Sequence, residues 1–256
     1  MLNATYKNGP VYERAVCVLT SIPEDTFLDR LERWKEIAAS ELPVTTKFAD
    51  REISLPEEWE KQPVQKISIR HRFWSQDPKK EHADWCIQLS PDRFIVNLRR
   101  KDHNDQRGFA ELKNFFDEWL NKWLNCFESP KINCVKLEYW NRINKDTVPD
   151  FANESYIEVK DIFSLFRSMP MPKRAKKYIT PYQYEANWDA ELEEKPYRLS
   201  ASIRAVPSKI MTLQTHFLAE CEIQNNSPVG ELDQLHVLVH DLFDSVFTKE
   251  VKEIFK

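Results

Sequence analysis

At 256 residues and a formal net charge of −4, the chain is long enough for one sizeable core or two modest ones, and it gives no global electrostatic case for nucleic acid. Three glycines, with no G-x-G-x-x-G and no G-x-x-x-x-G-K, argue strongly against dinucleotide-binding and P-loop folds, which need glycine where backbone approaches phosphate. Fifteen Phe, eight Tyr and eight Trp argue equally against intrinsic disorder.

Residues 1–10 are polar and end in Asn8-Gly9-Pro10, a lead-in rather than core. From Tyr12 to Ile22 the chain reads as a strand. Ala15, Cys17 and Leu19 oppose Val16, Val18 and Thr20, so both faces are apolar in the middle, as in a central strand covered on both sides. Pro23 opens a helix running to Leu42, with Phe27, Leu31, Trp34 and Ala38 on one stripe and Glu24 and Asp25 in the first turn. Val44 to Leu55 reads as a second strand, and residues 56–63 as a linker.

The stretch from Val64 to Phe127 is the most legible. Apolar residues alternate in Ile67-x-Ile69-x-His71-x-Phe73, in Trp85-x-Ile87-x-Leu89 and in Phe94-x-Val96-x-Leu98, the period-two signal of strands. Ser90-Pro91-Asp92-Arg93 makes the last two an antiparallel hairpin. After Gly108 the period changes: Phe109, Leu112, Phe116, Trp119, Leu120, Trp123, Leu124 and Phe127 mark a helix with a wide apolar face.

Ile132 to Ile143 is another strand, residues 144–153 a loop, and Tyr156 to Phe166 a short helix that cannot pass Met169-Pro170-Met171-Pro172. Tyr182–Ala190 and Tyr197–Val206 form a second hairpin around acidic Glu191–Lys195, and Met211–Ile223 a further strand. Leu232, Leu235, Val239, Leu242, Phe243, Val246 and Phe247 describe a closing helix from Glu231, followed by a last turn or two to Lys256. The fold class is therefore α+β, with antiparallel sheets packed against helices. Residues 1–128 and 129–256 form two α+β halves, and residues 64–127 and 182–247 follow one order of elements, as two diverged half-repeats would.

Tyr6-Lys7-Asn8-Gly9-Pro10-Val11-Tyr12-Glu13-Arg14-Ala15-Val16 resembles the Asn-x-Pro-(Ile/Val)-x-Glu-Ala-Val start of a sporadically distributed, functionally uncharacterised bacterial protein family of about this length. Gly9 before Pro10 and Arg14 before Ala15 depart from that pattern. Leu235-His236-x-x-Val239-His240-x-x-Phe243-Asp244-Ser245-Val246-Phe247 resembles the same family's final helix. The resemblance implies a shared fold and a bacterial accessory role, in host defence or toxin control. It transfers no catalytic residues.

Two clusters could carry chemistry. Asp233, His236, His240 and Asp244 share one side of the closing helix, at spacings that can hold zinc or another transition metal. They flank the apolar stripe rather than face a cavity, and histidines paired with neighbouring carboxylates need no metal, so no metal or cofactor is expected. The other cluster is basic. Arg70, Arg72 and Arg99, followed by Arg100 and Lys101, oppose the apolar face of their strands, and residues 61–107 hold eleven Lys and Arg against six Asp and Glu. Lys173, Arg174, Lys176 and Lys177 add a basic loop beside Tyr178, Tyr182 and Tyr184. Basic residues beside aromatics suit phosphate contact and base stacking, and a solvated sheet face explains them equally.

No Gly-x-Ser-x-Gly elbow is present, and Cys86 with His82 and Cys221 with His216 make poor dyads. The odd, scattered Cys17, Cys86, Cys126, Cys134 and Cys221 read as buried free thiols. Without a secretory leader or any apolar run of membrane length, a cytoplasmic setting away from membranes is expected. The favoured expectation is a non-enzymatic interaction or regulatory protein with a protein partner. The alternative is a nucleic-acid-binding accessory protein using the basic sheet face and the 173–177 loop, and an enzyme of unrecognised class stands third.

Overall fold

The structure, a computed structural model, describes residues 10–54, 64–78, 85–100, 107–152, 157, 159–164, 183–206, 212–223 and 227–256. Strands β1 (Val11–Thr20), β2 (Val44–Ser54), β3 (Val64–Trp74), β4 (Trp85–Ser90), β5 (Arg93–Arg99), β6 (Ile132–Ile143), β7 (Gln183–Leu192), β8 (Lys195–Val206) and β9 (Thr212–Glu222) build one nine-stranded sheet. Its order is β2-β3-β4-β5-β1-β6-β9-β8-β7, and every pairing is antiparallel. The α+β expectation of antiparallel strands against helices holds, with a single continuous sheet in place of several. Helices α1 (Glu24–Ala38), α2 (Phe109–Cys126), α3 (Val159–Ile162), α4 (Pro228–Val246) and α5 (Lys249–Phe255) complete the described elements.

Both halves of the chain follow one connection order. β1 crosses over and waits for β5, the last strand of the meander β2–β5; β6 does the same with β9, the last strand of β7–β9. The halves join where β1 lies against β6, with Val16 opposite Leu137 and Val18 opposite Val135. β1 thus occupies the middle of the sheet and is buried on both faces, as its double apolar pattern requires. Val16 and Val18 enter the main core, while Ala15 and Cys17 form a small cluster with Ile95 on the other face.

The main core lies between one sheet face and the helices. Leu112, Phe116, Trp119, Leu120 and Trp123 of α2 are buried with Ile87, Leu89, Phe94, Val96 and Leu98. Trp34 of α1 meets Phe73, Phe94 and Trp119 edge-on at centroid distances of 6.3, 6.2 and 5.6 Å, an arrangement favoured by the ring quadrupoles. The indole N–H groups of Trp34 and Trp119 are buried without a hydrogen-bond partner among the described residues, each a loss of about 1–3 kcal/mol that the aromatic burial must exceed. In the second half, Phe217, Phe243, Phe247 and Phe255 form the corresponding aromatic knot. Thr248 caps α5 and also donates to the Asp161 carbonyl at 2.7 Å, tying the short α3 to the closing helices.

Several boundaries differ from the sequence reading. α1 stops at Ala38 rather than Leu42. α4 begins at Pro228 rather than Glu231, because proline at the first helical position has a suitable φ and no N–H to lose. The β7–β8 turn is tighter than expected: Glu193 and Glu194 occupy left-handed backbone, with φ of 52° and 63°, which is the hand that a two-residue hairpin demands. Ile67 and Ile69, expected on the oily face, are 57% and 50% exposed. β3 pairs with β2 along its whole length but with β4 only from His71 to Trp74, so among the described residues its first half forms a two-stranded arm.

All five cysteines are free; four are buried and Cys134 is partly exposed. Burial raises their thiol pKa values, to about 11 for Cys134 and about 12 for Cys221, which removes thiolate reactivity at neutral pH. Among the described residues no helix is long and apolar enough to cross a membrane.

Because Trp119 is fully buried at the meeting point of α1, α2 and the sheet, Trp119→Ala should lower the unfolding free energy by about 3–5 kcal/mol. Urea melts check this, and a loss under about 1 kcal/mol would contradict the packing described.

Candidate functional site

The sheet face opposite the helices carries the basic residues read from the sequence. Strand alternation places Arg70 and Arg72 of β3, Gln88 of β4, Asn97 and Arg99 of β5 and Glu13 of β1 on this one face. Arg72, Gln88, Asn97, Glu13 and Arg99 form a hydrogen-bonded chain across four strands. The Arg72 Nε donates to Gln88 Oε1 at 2.9 Å, Gln88 Nε2 to Asn97 Oδ1 at 2.7 Å, and Asn97 Nδ2 to Glu13 Oε1 at 2.7 Å. The second oxygen of Glu13 accepts from Arg99 Nε at 3.1 Å.

Aromatic rings complete the chain. The Arg72 guanidinium lies 4.1 Å and that of Arg70 5.8 Å from the Phe48 ring centroid, and Arg99 lies 4.9 Å from Trp74. Arg70, Arg72 and Arg99 therefore do share a surface, but Arg72 and Arg99 are already committed to Gln88 and Glu13. Arg100 follows β5, its backbone N–H bonded to the Tyr12 carbonyl at 2.9 Å. Lys101, Lys173, Arg174, Lys176 and Lys177 lie outside the described residues.

The same face continues across the second half, where His216, read in the sequence only against Cys221, finds other partners. His216 Nε2 lies 3.0 Å from Glu138 Oε2, and its ring stacks on Trp140 at 3.9 Å. Lys136 pairs with Glu220, and the Arg142 guanidinium sits 4.8 Å from the Tyr12 ring. Opposite charges thus alternate along the face, as expected of cross-strand neighbours.

The helix-edge cluster divides in the structure between outward carboxylates and a pair of touching histidines. Asp233 points outward to Lys113 of α2 at 2.7 Å, and Lys252 of α5 donates to the Asp244 carbonyl at 2.8 Å, 3.7 Å from its carboxylate. The histidines turn inward. His236 Nδ1 is 2.8 Å from the Tyr139 hydroxyl, its ring stacks on Phe109 at 4.0 Å, and His240 meets it edge-on at 4.6 Å. The rings meet aromatic and hydroxyl partners and the carboxylates meet lysines of other helices, while Asp233 and Asp244 still act electrostatically on His236 and His240. Among the described residues no three His, Cys, Asp or Glu side chains are placed to hold a metal ion.

Burial first, then His240 and Arg14, pushes His236 down to about 3. His240 is lowered chiefly by burial, which Asp244 opposes. Tyr139, fully buried, is raised to about 12 and keeps its proton.

A third place was invisible in the sequence. A cleft of about 470 Å³ opens between the β7–β8 turn and the start of α4, lined by Glu193, Lys195, Ser227, Gly230, Glu231 and Gln234 among others. Glu231, 3% exposed, pairs with Lys195 at 2.6 Å, and Gln234 links the Tyr197 hydroxyl to Glu193.

No family model and no curated protein matches this chain. Among solved structures it is similar to DynU16, a protein of the dynemicin biosynthetic locus, at 11% identity over 96% of this chain and 100% of that one. The TM-score is 0.22, and neither fold nor function is inferred from it.

The lowered His236 has a pH consequence with a definite sign. The unfolded chain takes up a proton at this ring below about pH 6.5, whereas the fold refuses it until about pH 3, so the contribution is full above pH 6.5 and lost as pH falls. Imidazole NMR should show His236 neutral at pH 5, and the fall in stability between pH 6.5 and 4 should be shallower in His236→Gln. A His236 titrating near pH 6.5 would contradict the burial described.

Proposed function

We propose that the protein is a non-enzymatic interaction or regulatory accessory protein, and that the β2–β3 arm is where a protein partner docks. The observation that carries this reading is the placement of exposed apolar side chains. Among the described residues the large exposed hydrophobics are Leu28, Phe48, Ile67, Ile69 and Trp188, and three of these lie on the arm. Ile67 and Ile69 are on one of its faces and Phe48 is on the other.

The arm also offers backbone. β2 is an edge strand, and the part of β3 before His71 has β2 as its one strand neighbour among the described residues. A two-stranded ribbon with apolar residues at alternate positions suits a partner that adds a strand, with side chains for Ile67 and Ile69 to pack against. Scattered single hydrophobics need no such explanation, but a cluster on a protruding ribbon does. Within this proposal the role belongs to host defence or toxin control, a reading whose support is the resemblance of residues 6–16 and 235–247 to a bacterial family.

The second reading is nucleic-acid binding by the basic face, favoured by Arg70 and Arg72 beside Phe48 and by Arg99 beside Trp74. The commitment of Arg72 to Gln88 and of Arg99 to Glu13 weighs against it.

The two readings separate on variants. In pull-downs from the native host, the Ile67→Asp, Ile69→Asp double variant should lose the protein that the wild type recovers, with near-UV circular dichroism unchanged. Retention of that protein would sink the arm as the docking site. Binding to short nucleic acids that weakens steeply with salt and vanishes in the Arg70→Glu, Arg72→Glu variant would establish the second reading instead.

A further inference from the structure

We infer that β7, the edge of the sheet farthest from the β2–β3 arm, takes an extended basic segment of a protein partner as an added strand. Its outer side has no strand neighbour among the described residues, while its inner side pairs with β8 at every position from Gln183 to Leu192 without a bulge. Alternation divides the strand in two. Tyr184, Ala190 and Leu192 pack against the main core from the helix side, and Trp188, opposite Leu199, shares that side while 42% exposed. Glu185, Asp189 and Glu191 stand exposed on the other side, and none of them forms an ion pair among the described residues. Arg198 lies opposite Asp189 in the register but reaches Glu220 instead, at 4.0 Å.

Exposed edge strands are ordinarily blunted by short length, proline, a bulge or lysines. β7 has none of these: it runs ten residues without proline or bulge, and carries three acids with no Lys or Arg. Charge is the selective device left on it, and its sign chooses the occupant. A second copy pairing β7 with β7 would bring two acidic rows together, and like charges opposite one another destabilise a strand pair. A strand with Lys or Arg at alternate positions meets those acids with opposite charge, and its intervening apolar residues fall on the side of Trp188 and Tyr184. Backbone hydrogen bonds then supply the affinity and the charged row the selectivity. This edge is separate from the arm of the proposed function, and neither docking site requires the other.

The test titrates the full chain with two peptides of one composition at constant ionic strength, the first alternating Lys and Val, the second with all its Lys before all its Val. The inference expects saturable calorimetric binding of the alternating peptide, slowed amide exchange within residues 183–192, and binding about tenfold weaker or less for the block peptide. Asp189→Lys with Glu191→Lys should weaken the alternating peptide about tenfold or more. Asp189→Asn with Glu191→Gln, which removes the charge alone, should fall between and serves if the reversed variant does not fold. The Ile67→Asp, Ile69→Asp variant should bind the peptide as the wild type does, so failure of the arm and failure of this edge are told apart. Equal binding of the two peptides, unchanged exchange in β7, or unchanged affinity in whichever charge variant folds would each overturn the inference. So would sedimentation showing that the chain alone associates through β7, with that association lost in the same variants.

Discussion

The structure depends on a seam: β1 pairs with β5 on one side and with β6 on the other, so that a single strand carries the continuity of the sheet from one half of the chain to the other. A strand in that position has no free edge and must be acceptable on both faces, because one face meets the helices and the other lies at the centre of the polar side. The short run Ala15-Val16-Cys17-Val18 meets both demands by giving large apolar groups to the helix side and small ones to the other. Small side chains there let tall neighbours such as Trp74, Arg99 and Lys136 stand around them. The polar face therefore has a dry centre without a second layer of helices among the described residues.

With one layer of helices, the two sides of the sheet are stabilised by different physics. The helix side relies on aromatic volume, tolerating indole N–H groups at Trp34 and Trp119 that have no hydrogen-bond partner among the described residues, for the sake of close ring packing. The polar side relies on cross-strand hydrogen bonding from Arg72 through Gln88 and Asn97 to Glu13 and Arg99. Every member of that chain bonds to the next strand, so it restrains register as well as satisfying charge. Such a face is structural before it is a ligand surface, and it shifts attention to the part of β3 that pairs with β2 and, among the described residues, with no other strand.

How much of this could be read from the residues divides along physical lines. Local periodicity exposed the β4–β5 hairpin, the wide stripe of α2, the strand β6 and the hairpin β7–β8, because each is written in consecutive side chains. Alternation also placed Arg70, Arg72 and Arg99 on one face. It cannot say whether anything covers a face, and so Ile67 and Ile69 carried the same signal as Phe73 while ending in solvent. The helix-edge cluster was legible only in part: spacing put Asp233, His236, His240 and Asp244 on one side of α4, where the two rings do meet, but it could not show Lys113 of α2 or Tyr139 of β6. The same holds for Glu231, whose pairing with Lys195 was hidden behind an apparently exposed acidic turn.

The crossing of the chain in each half has a consequence for how the molecule assembles. Val16 finds its partners in Val96 and Leu137, both far along the chain, whereas β2 with β3, β4 with β5 and β7 with β8 close through short connections. Loop-closure entropy favours the local hairpins first, leaving β1 without either of its sheet neighbours until β5 and then β6 exist. Through that interval its double apolar face and both its edges are open to any other strand. Contact order thus favours a centripetal sequence, with the outer hairpins ready early and the middle of the sheet zipped last, and the species most open to mispairing is the chain that has β1 but not yet the pair that encloses it.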